Sequence, residues 1–388
     1  MAIECDVLVV GGGPAGSSAA RAAAQKGLDV ICIEKKEEPG KPVQCAEGIG
    51  SYLLKHLPFN LPAFTLEWKI KGINFRYNNI EITKGGPFWK GYSVDRLKLE
   101  SWLLSEAKNE GARISLSSEL IGLDFNNEFE VNKAVIKTKN NKKVIHPNMV
   151  IAADGVNATT LKCIDKYNPN PGALVDCHAW EFHDVNLENP HFEEILVGEF
   201  VPGGYGFIFP KSRNKANIGI GGLYPEKDIE EYFNNFIETP FMKKILNGSK
   251  QVYNKSRYAV FDNLSEKQNY GNIYLVGDAA NHNFKPFVEG ILPGIISGDY
   301  IGSIADQLLS PDNSLDLDNY LNNLLPKLFK ESDISKNLLH QLYSNWKKTD
   351  HLLFIALVSE LFEIERLSEL KSLEAIELEK KIISEIKN

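Results

Sequence analysis

The chain lacks any apolar run approaching the length of a membrane-spanning helix. Its longest clean stretch is Leu352-Leu-Phe-Ile-Ala-Leu-Val358, whereas a span needs about 20 such residues. Any membrane contact is therefore expected to be peripheral. There is no dense Lys/Arg cluster, and the net charge of −8 argues against a nucleic-acid surface. The five cysteines, Cys5, Cys32, Cys45, Cys163 and Cys177, are odd in number and form no Cys-x-x-Cys. That pattern argues against a disulfide framework and fits a reducing cytosol. No signal-peptide pattern precedes the first strand, so a cytoplasmic location is expected. Internal repeats and low-complexity tracts are also missing.

What is present begins with Val7-Leu-Val-Val-Gly-Gly-Gly-Pro-Ala-Gly16. An apolar strand runs into Gly11-x-Gly13-x-x-Gly16, and an Ala-rich helix is predicted from Ala15 to Lys26, stopped by Gly27. Strand, glycine turn and helix in that order bind a dinucleotide pyrophosphate. The turn lets the backbone approach the phosphates, and the first helical N–H groups face them. Leu28 to Ile33 reads as a second buried strand ending in Glu34, the acid expected about 20 residues on, where it meets a ribose hydroxyl.

Two later segments repeat the pattern of buried strand, acid and glycine: Met149 to Gly155, ending in Asp154-Gly155, and Gly271 to Ala280, carrying Gly277-Asp278. Ligands of doubly wound sheets sit at the carboxyl ends of strands. Three such ends across the chain suit one long dinucleotide better than three unrelated sites.

Residues 36–62 read as a long Gly-, Pro- and Lys-rich loop, and 63–92 as short strands turning at Asn78-Asn79. A helix is predicted over Ser93 to Ala107, strands over 114–145, and a second, mainly antiparallel sheet over 172–262. A helix follows from about Gly290 to Leu309. After a polar linker from Ser310, the remainder is helical and closes on an amphipathic stripe of Leu367, Leu370, Leu373 and Ile376. The expected fold class is α/β: a Rossmann-like domain (1–62, 93–171 and 263–309), an inserted antiparallel substrate domain (63–92 and 172–262) and a C-terminal helical region (310–388).

The three strand ends together resemble the FAD-binding flavoprotein hydroxylase-like superfamily. Within it, Gly40-Lys-Pro-Val-Gln-Cys-Ala-Glu-Gly-Ile49 and Pro202-Gly-Gly-Tyr-Gly-Phe-Ile-Phe-Pro210 are similar to two segments of the geranylgeranyl reductase family. These are its cysteine loop near the flavin and its Pro-x-x-Tyr-x-Trp-x-Phe-Pro signature. The resemblance covers about residues 1–310. It implies FAD contacts at Gly11, Gly13, Pro14, Ala15, Gly16, Glu34, Lys35, Cys45, Ala46, Gly48, Arg96, Leu120, Asp154, Gly155, Asp278, Gly290 and Ile291, with Arg96 at the pyrophosphate and Leu120 holding the adenine through its backbone. It also implies a substrate face of Tyr205, Phe207 and Phe209, which alternate along one strand.

Three departures stand out. Phe207 replaces the usual tryptophan. Asn157 replaces the common serine. After Ala280, Lys285 and Glu289 enter where the family has a glycine run.

The activity implied is FAD-dependent saturation of isoprenoid double bonds in a prenyl lipid or prenyl diphosphate, with Cys45 as proton donor or pocket gate. No second dinucleotide unit is present, so a soluble electron donor is expected, such as a ferredoxin or reduced nicotinamide. An FAD-dependent aromatic hydroxylase and a non-catalytic flavin redox sensor are the alternatives. A halogenase would show Trp-x-Trp-x-Ile-Pro, and an iron–sulfur partner would need cysteines beyond His178; neither is present. His282 is a further candidate neighbour of the flavin. The acids, histidines and cysteine from Asp176 to Asp184 match no zinc spacing, and no metal is expected.

Overall fold

The computed structural model describes residues 3–310 apart from 88, 127–128, 168–173, 202, 224–226, 263–264, 266 and 285–286. Pro202, Lys285 and the C-terminal stripe at Leu367, Leu370, Leu373 and Ile376 therefore lie outside the described residues.

The strand Ile3–Val10, the helix Pro14–Gln25 and the strand Val30–Ile33 form the expected βαβ unit. The first strand is apolar throughout because both its faces are covered. Val7 and Val9 pack on Ala19, Ala20 and Ala23 of the helix, whereas Leu8 and Val10 pack on Leu120, Ala134 and Leu161 from the other side.

The first sheet runs in the order Asn269–Tyr270, Ile273–Leu275, Lys142–Ala152, Ile3–Val10, Val30–Ile33, Arg113–Ser115. The last five of these are parallel. Register places Val10 beside Ala152 and Ile33, and Ala152 beside Leu275. Three distant carboxyl ends thus become one edge.

The Ala-rich composition has a packing cause. The helix Ile291–Ser303 crosses Pro14–Gln25 at backbone contact: a Cβ on Gly298 would lie 2.0 Å from the carbonyl oxygen of Ala15. Only small residues allow that approach, which delivers Gly290 and Ile291 to the glycine turn.

The second sheet has the order Lys250–Asn254, Leu174–His183, Lys215–Gly222, Gly204–Pro210, Phe192–Leu196, Gly72–Tyr77, Ile80–Gly85. It is antiparallel as expected, except that Phe192–Leu196 pairs in parallel with Gly72–Tyr77.

Several local expectations change. Two helices, Ile229–Ile237 and Pro240–Leu246, interrupt the stretch read as sheet. Asp228 starts the first by accepting from the Glu230 N–H, and Tyr232, Phe233 and Phe236 bury it against the sheet. The helix expected from Ser93 begins at Arg96, because the Asp95 side chain accepts from the Lys98 N–H and caps it there. Ser93 and Val94 instead close the strand Gly91–Val94. The loop expected over 36–62 contains a strand, Gly48–Gly50, and a short helix, Ser51–Leu54. That strand joins Gly91–Val94 and Leu66–Ile70 in a small third sheet between the other two elements of the site.

Candidate active site

Two cavities meet at the edge of the first sheet. The larger, about 690 Å³, runs along the carboxyl ends of the strands. Gly11, Gly13, Pro14, Ala15, Glu34, Lys35, Leu120, Asp154 and Gly155 line it from the nucleotide fold. Gly11 has φ +104°, a left-handed value that favours glycine. Gly16 packs beneath the turn, where a Cβ would lie 1.8 Å from the Gly11 carbonyl oxygen. Gly13, by contrast, has no atom within 4 Å of its Cβ position. Glu34 accepts from the Gly12 N–H at 2.8 Å and the Lys36 N–H at 2.9 Å, which fixes its carboxylate beside the turn.

The second cavity, about 260 Å³, lies between the small sheet and the large antiparallel sheet. Tyr205, Phe207 and Phe209 all line it, as their alternation predicts, together with Ile73, Ile195 and Phe261. Its walls are mostly apolar. It shares Pro14, Arg96, Cys177, Arg257, Asp278 and Gly290 with the first cavity, so the two adjoin along a common wall. Cys45, Ala46, Gly48 and Ile291 face this second cavity rather than the long cleft.

Charges at the junction are held by neighbours. Arg96 opens its helix, and its guanidinium pairs with Glu100. Burial opposes its charge, but Glu100 and then the adjacent Cys45 more than offset this and hold it above the ordinary arginine value. Its Nε is buried without a partner. Asp278 accepts from Arg257 at 3.4 Å, and its other oxygen would lie 2.8 Å from a Cβ on Gly290. Asp154 has a structural partner as well. Its carboxylate accepts from the N–H and hydroxyl of Thr160 at 2.6 and 2.8 Å, so it ties down the helix Thr159–Cys163 while also lining the cleft. His282 is 2% exposed and pairs with Gln268 at 2.9 Å. It is a core residue, packed away from both cavities.

The loop with Cys45 is anchored by groups the sequence reading did not single out. Glu47 adopts φ +66° and is 2% exposed. Its carboxylate accepts from Lys211 at 2.7 Å, Lys255 at 3.0 Å, Asn217 at 3.0 Å and the Arg96 N–H at 3.2 Å. Lys211 also reaches Glu67 at 3.1 Å and Glu181 at 3.3 Å. Burial alone would raise the Glu47 carboxyl, but Lys211 and Lys255 hold it below the usual carboxylate range. Asn217 donates to the Ala46 carbonyl and Arg257 to that of Gln44. Cys45 accepts from the Glu47 N–H at 3.3 Å. Nothing in the spacing of these residues marks them, because their partners lie up to 208 positions away.

Cys177, read from sequence as ordinary strand polarity, stands at the junction of the cavities. Burial pushes its thiol up to about 12. Among the described residues no group of three His, Cys, Asp or Glu could hold a metal ion.

The site fits FAD on its own geometry. The open face at Gly13, the N-terminus of a 12-residue helix, and a buried unpartnered Arg96 Nε line one continuous cleft. Comparison with known proteins agrees. The FAD binding domain profile matches residues 6–60, and the geranylgeranyl reductase catalytic domain profile matches residues 175–252.

Two relatives are digeranylgeranylglycerophospholipid reductases. That of Methanosarcina acetivorans is 31% identical over 325 residues, covering 79% of this chain and 76% of its own. That of Methanocaldococcus jannaschii is 30% identical over 390 residues, covering 97% and 93%. The solved structure of a geranylgeranyl bacteriochlorophyll reductase-like protein from Thermoplasma acidophilum superposes with a TM-score of 0.82 at 25% identity, over 98% of this chain and all of that one. A flavin-dependent brominase at 16% identity shares the fold, with a TM-score of 0.74. The chain belongs to the geranylgeranyl reductase family of FAD-dependent oxidoreductases.

Proposed function

We propose that the protein saturates the isoprenoid double bonds of a geranylgeranyl-bearing glycerophospholipid. The observation that carries this reading is the adjacency of the two cavities. An apolar chamber borders the dinucleotide cleft, and Pro14, Arg96, Cys177, Arg257, Asp278 and Gly290 form the shared wall. A prenyl chain is an apolar ligand with no hydrogen-bonding group to satisfy, so it suits a chamber of aromatic and aliphatic side chains.

FAD, when bound and reduced, supplies hydride to one alkene carbon. The chain's own residues do the rest. Gly11, Gly13, Pro14, Ala15 and Gly16 carry the pyrophosphate turn, Glu34 and Lys35 the ribose end, and Leu120 the adenine end. Arg96 takes the pyrophosphate through its unpartnered Nε. Asp154, Gly155, Asp278 and Gly290 line the remaining length, and Ala46, Gly48 and Ile291 close the cofactor in from the chamber side. Tyr205, Phe207 and Phe209 hold the prenyl chain against this wall and exclude water. Cys45, whose Sγ already accepts from the Glu47 N–H, gates the passage between the cavities.

Electrons arrive from a soluble carrier such as a ferredoxin or reduced nicotinamide, since the sequence holds no second dinucleotide fold. A lipid substrate would be met by peripheral contact with a bilayer. No helix among the described residues is long and apolar enough to cross one.

The test is anaerobic incubation of the chemically reduced holoprotein with a digeranylgeranyl glycerophospholipid. Mass spectrometry should show the substrate gaining two hydrogens per bond. Flavin reoxidation only with oxygen and an aromatic substrate would replace this reading with the hydroxylase.

A further inference from the structure

The chamber contains two carboxyl groups that neither the cofactor cleft nor the ion cluster at Glu47 uses. Glu289 and Glu193 approach the strand Gly48–Gly50 from opposite elements. The Glu289 carboxyl accepts from the Gly50 N–H at 3.2 Å and from the Tyr52 hydroxyl at 3.3 Å. A Glu193 oxygen would lie 3.1 Å from a Cβ on Gly48. Both acids line the chamber beside this strand, three to five residues beyond Cys45.

The backbone at Glu289 is built for a fixed position. Val288, a β-branched residue, takes φ +55°, a left-handed conformation such residues rarely adopt. The strain is held by a two-way bridge, in which Phe284 and Glu289 exchange N–H to carbonyl bonds at 2.7 and 3.0 Å. Strain held in this way beside a cavity places one side chain at one spot.

We propose that Glu289 is the proton donor in double-bond saturation, with Tyr52 orienting its carboxyl and Glu193 as the neighbouring acid on the same wall. The proposal rests on the prenyl-reductase reading. The balance is simple. The π pair of the alkene forms a C–H bond to the Glu289 proton as its O–H bond breaks, and the other carbon receives hydride with its electron pair from the reduced cofactor. Glu289 is left as carboxylate and recovers one proton from water in each turnover.

The surroundings keep the acid loaded. Burial pushes the Glu289 carboxyl up to about 8, with a further push from Glu193, against the Gly50 N–H and the Tyr52 hydroxyl, which favour the anion. Burial likewise takes Glu193 to about 8. Among the other charged groups on the wall, Arg96, Lys255 and Arg257 are committed to Glu100, Glu47 and Asp278, and Lys90 is exposed. A carboxyl titrating near 8 is protonated at neutral pH and close enough to it to transfer readily.

The experiment is a single turnover of the reduced holoprotein on a digeranylgeranyl glycerophospholipid from pH 6 to 10, with infrared titration of the wild type alongside. The wild type should make saturated product at a rate that falls through about pH 8. Glu289→Gln should bind FAD with an unchanged visible spectrum, yet make product about 100-fold more slowly or worse. Glu289→Asp should recover part of the loss. Glu193→Gln should move the falling limb to lower pH, because a neighbouring negative charge is removed. The infrared spectrum should show a protonated carboxyl at neutral pH that Glu289→Gln deletes. Wild-type turnover and pH dependence in Glu289→Gln, or no protonated carboxyl in the wild type, overturns the proposal. A wild type that saturates no prenyl lipid removes the functional reading and this proposal with it, an outcome distinct because there the unmutated enzyme is inactive.

Discussion

The Glu47 carboxylate lies 2.7 Å from the Lys211 ammonium, across 164 residues of sequence, and so joins the loop carrying Cys45 to the end of the strand carrying Tyr205 and Phe207. This pair ties the loop after Cys45 to the large antiparallel sheet across the chamber. Both side chains are under one-tenth exposed, so each balances part of the buried charge of the cluster that Lys255, Glu67 and Glu181 complete.

Removing one partner should therefore be costly. Lys211→Met is expected to destabilise the fold by about 3–5 kcal/mol, since Glu47, Glu67 and Glu181 then share too little positive charge. The Glu47→Gln/Lys211→Met double variant should lose less than the two single losses summed. Urea unfolding of the four proteins in a double-mutant cycle measures the coupling. Additive losses would show that the pair is not a linked unit.

Acid should weaken the same cluster. Glu181 gains from burial in the opposite sense, but its hydrogen bond with His183 and the charges of Lys211 and Lys255 prevail and lower it from 4.5 to about 2. A depressed carboxyl contributes stability above its unfolded value and loses it as pH falls through the folded one. The contribution, about 3 kcal/mol, should thus be present at neutral pH and disappear between about 4.5 and 2. Glu181→Gln should flatten the stability curve in that window, as read by denaturant unfolding across pH.

The two ends of the glycine turn should respond differently to side chains. Gly13→Val projects into open cleft and should weaken FAD binding by about tenfold or more, with the melting temperature of the apoprotein little changed. Gly16→Ala drives a Cβ to within 1.8 Å of the Gly11 carbonyl oxygen and should cost stability itself, about 1–3 kcal/mol. Flavin fluorescence titration and calorimetry separate these outcomes.

The aromatic wall should act on binding more than on chemistry. Phe207→Ala removes a ring that lies tilted against that of Phe209, with centroids 5.0 Å apart, and is expected to raise KM for the prenyl lipid by roughly 10- to 100-fold, the worth of one buried aromatic side chain. The kcat should change less. A large fall in kcat at constant KM would place Phe207 in the chemical step.

Much of the nucleotide fold was legible in the sequence, because its signals are local. The buried strand, the turn at Gly11 to Gly16, the Ala-rich helix and Glu34 lie within a few dozen contiguous residues, and each has a direct backbone consequence. The alternation of Tyr205, Phe207 and Phe209 put them on one face, but a sheet core shows the same period, and it was the resemblance to the family signature that marked the face as a pocket wall. The helices Ile229–Ile237 and Pro240–Leu246 were missed where short amphipathic runs sit within alternating sequence, although the cap at Asp228 and the spacing of Tyr232, Phe233 and Phe236 carried the signal. Adjacency to Asp278 left His282 open between a flavin neighbour and an ordinary loop histidine, and the fold turns it into the core against Gln268.

By itself the sequence determined the dinucleotide fold, which follows from backbone conformation and periodicity within contiguous segments, and its motifs carried the resemblance to an FAD family and to the strand that lines the apolar chamber. Tertiary structure alone decided that the carboxyl ends at Val10, Ala152 and Leu275 form one edge, that Glu47 is held by Lys211 and Lys255, and that Glu289 and Glu193 share an apolar wall. Charge pairing and desolvation act through space. Residues scattered over more than 200 positions acquire their chemistry only when folding places them within a few ångströms and removes the water between them.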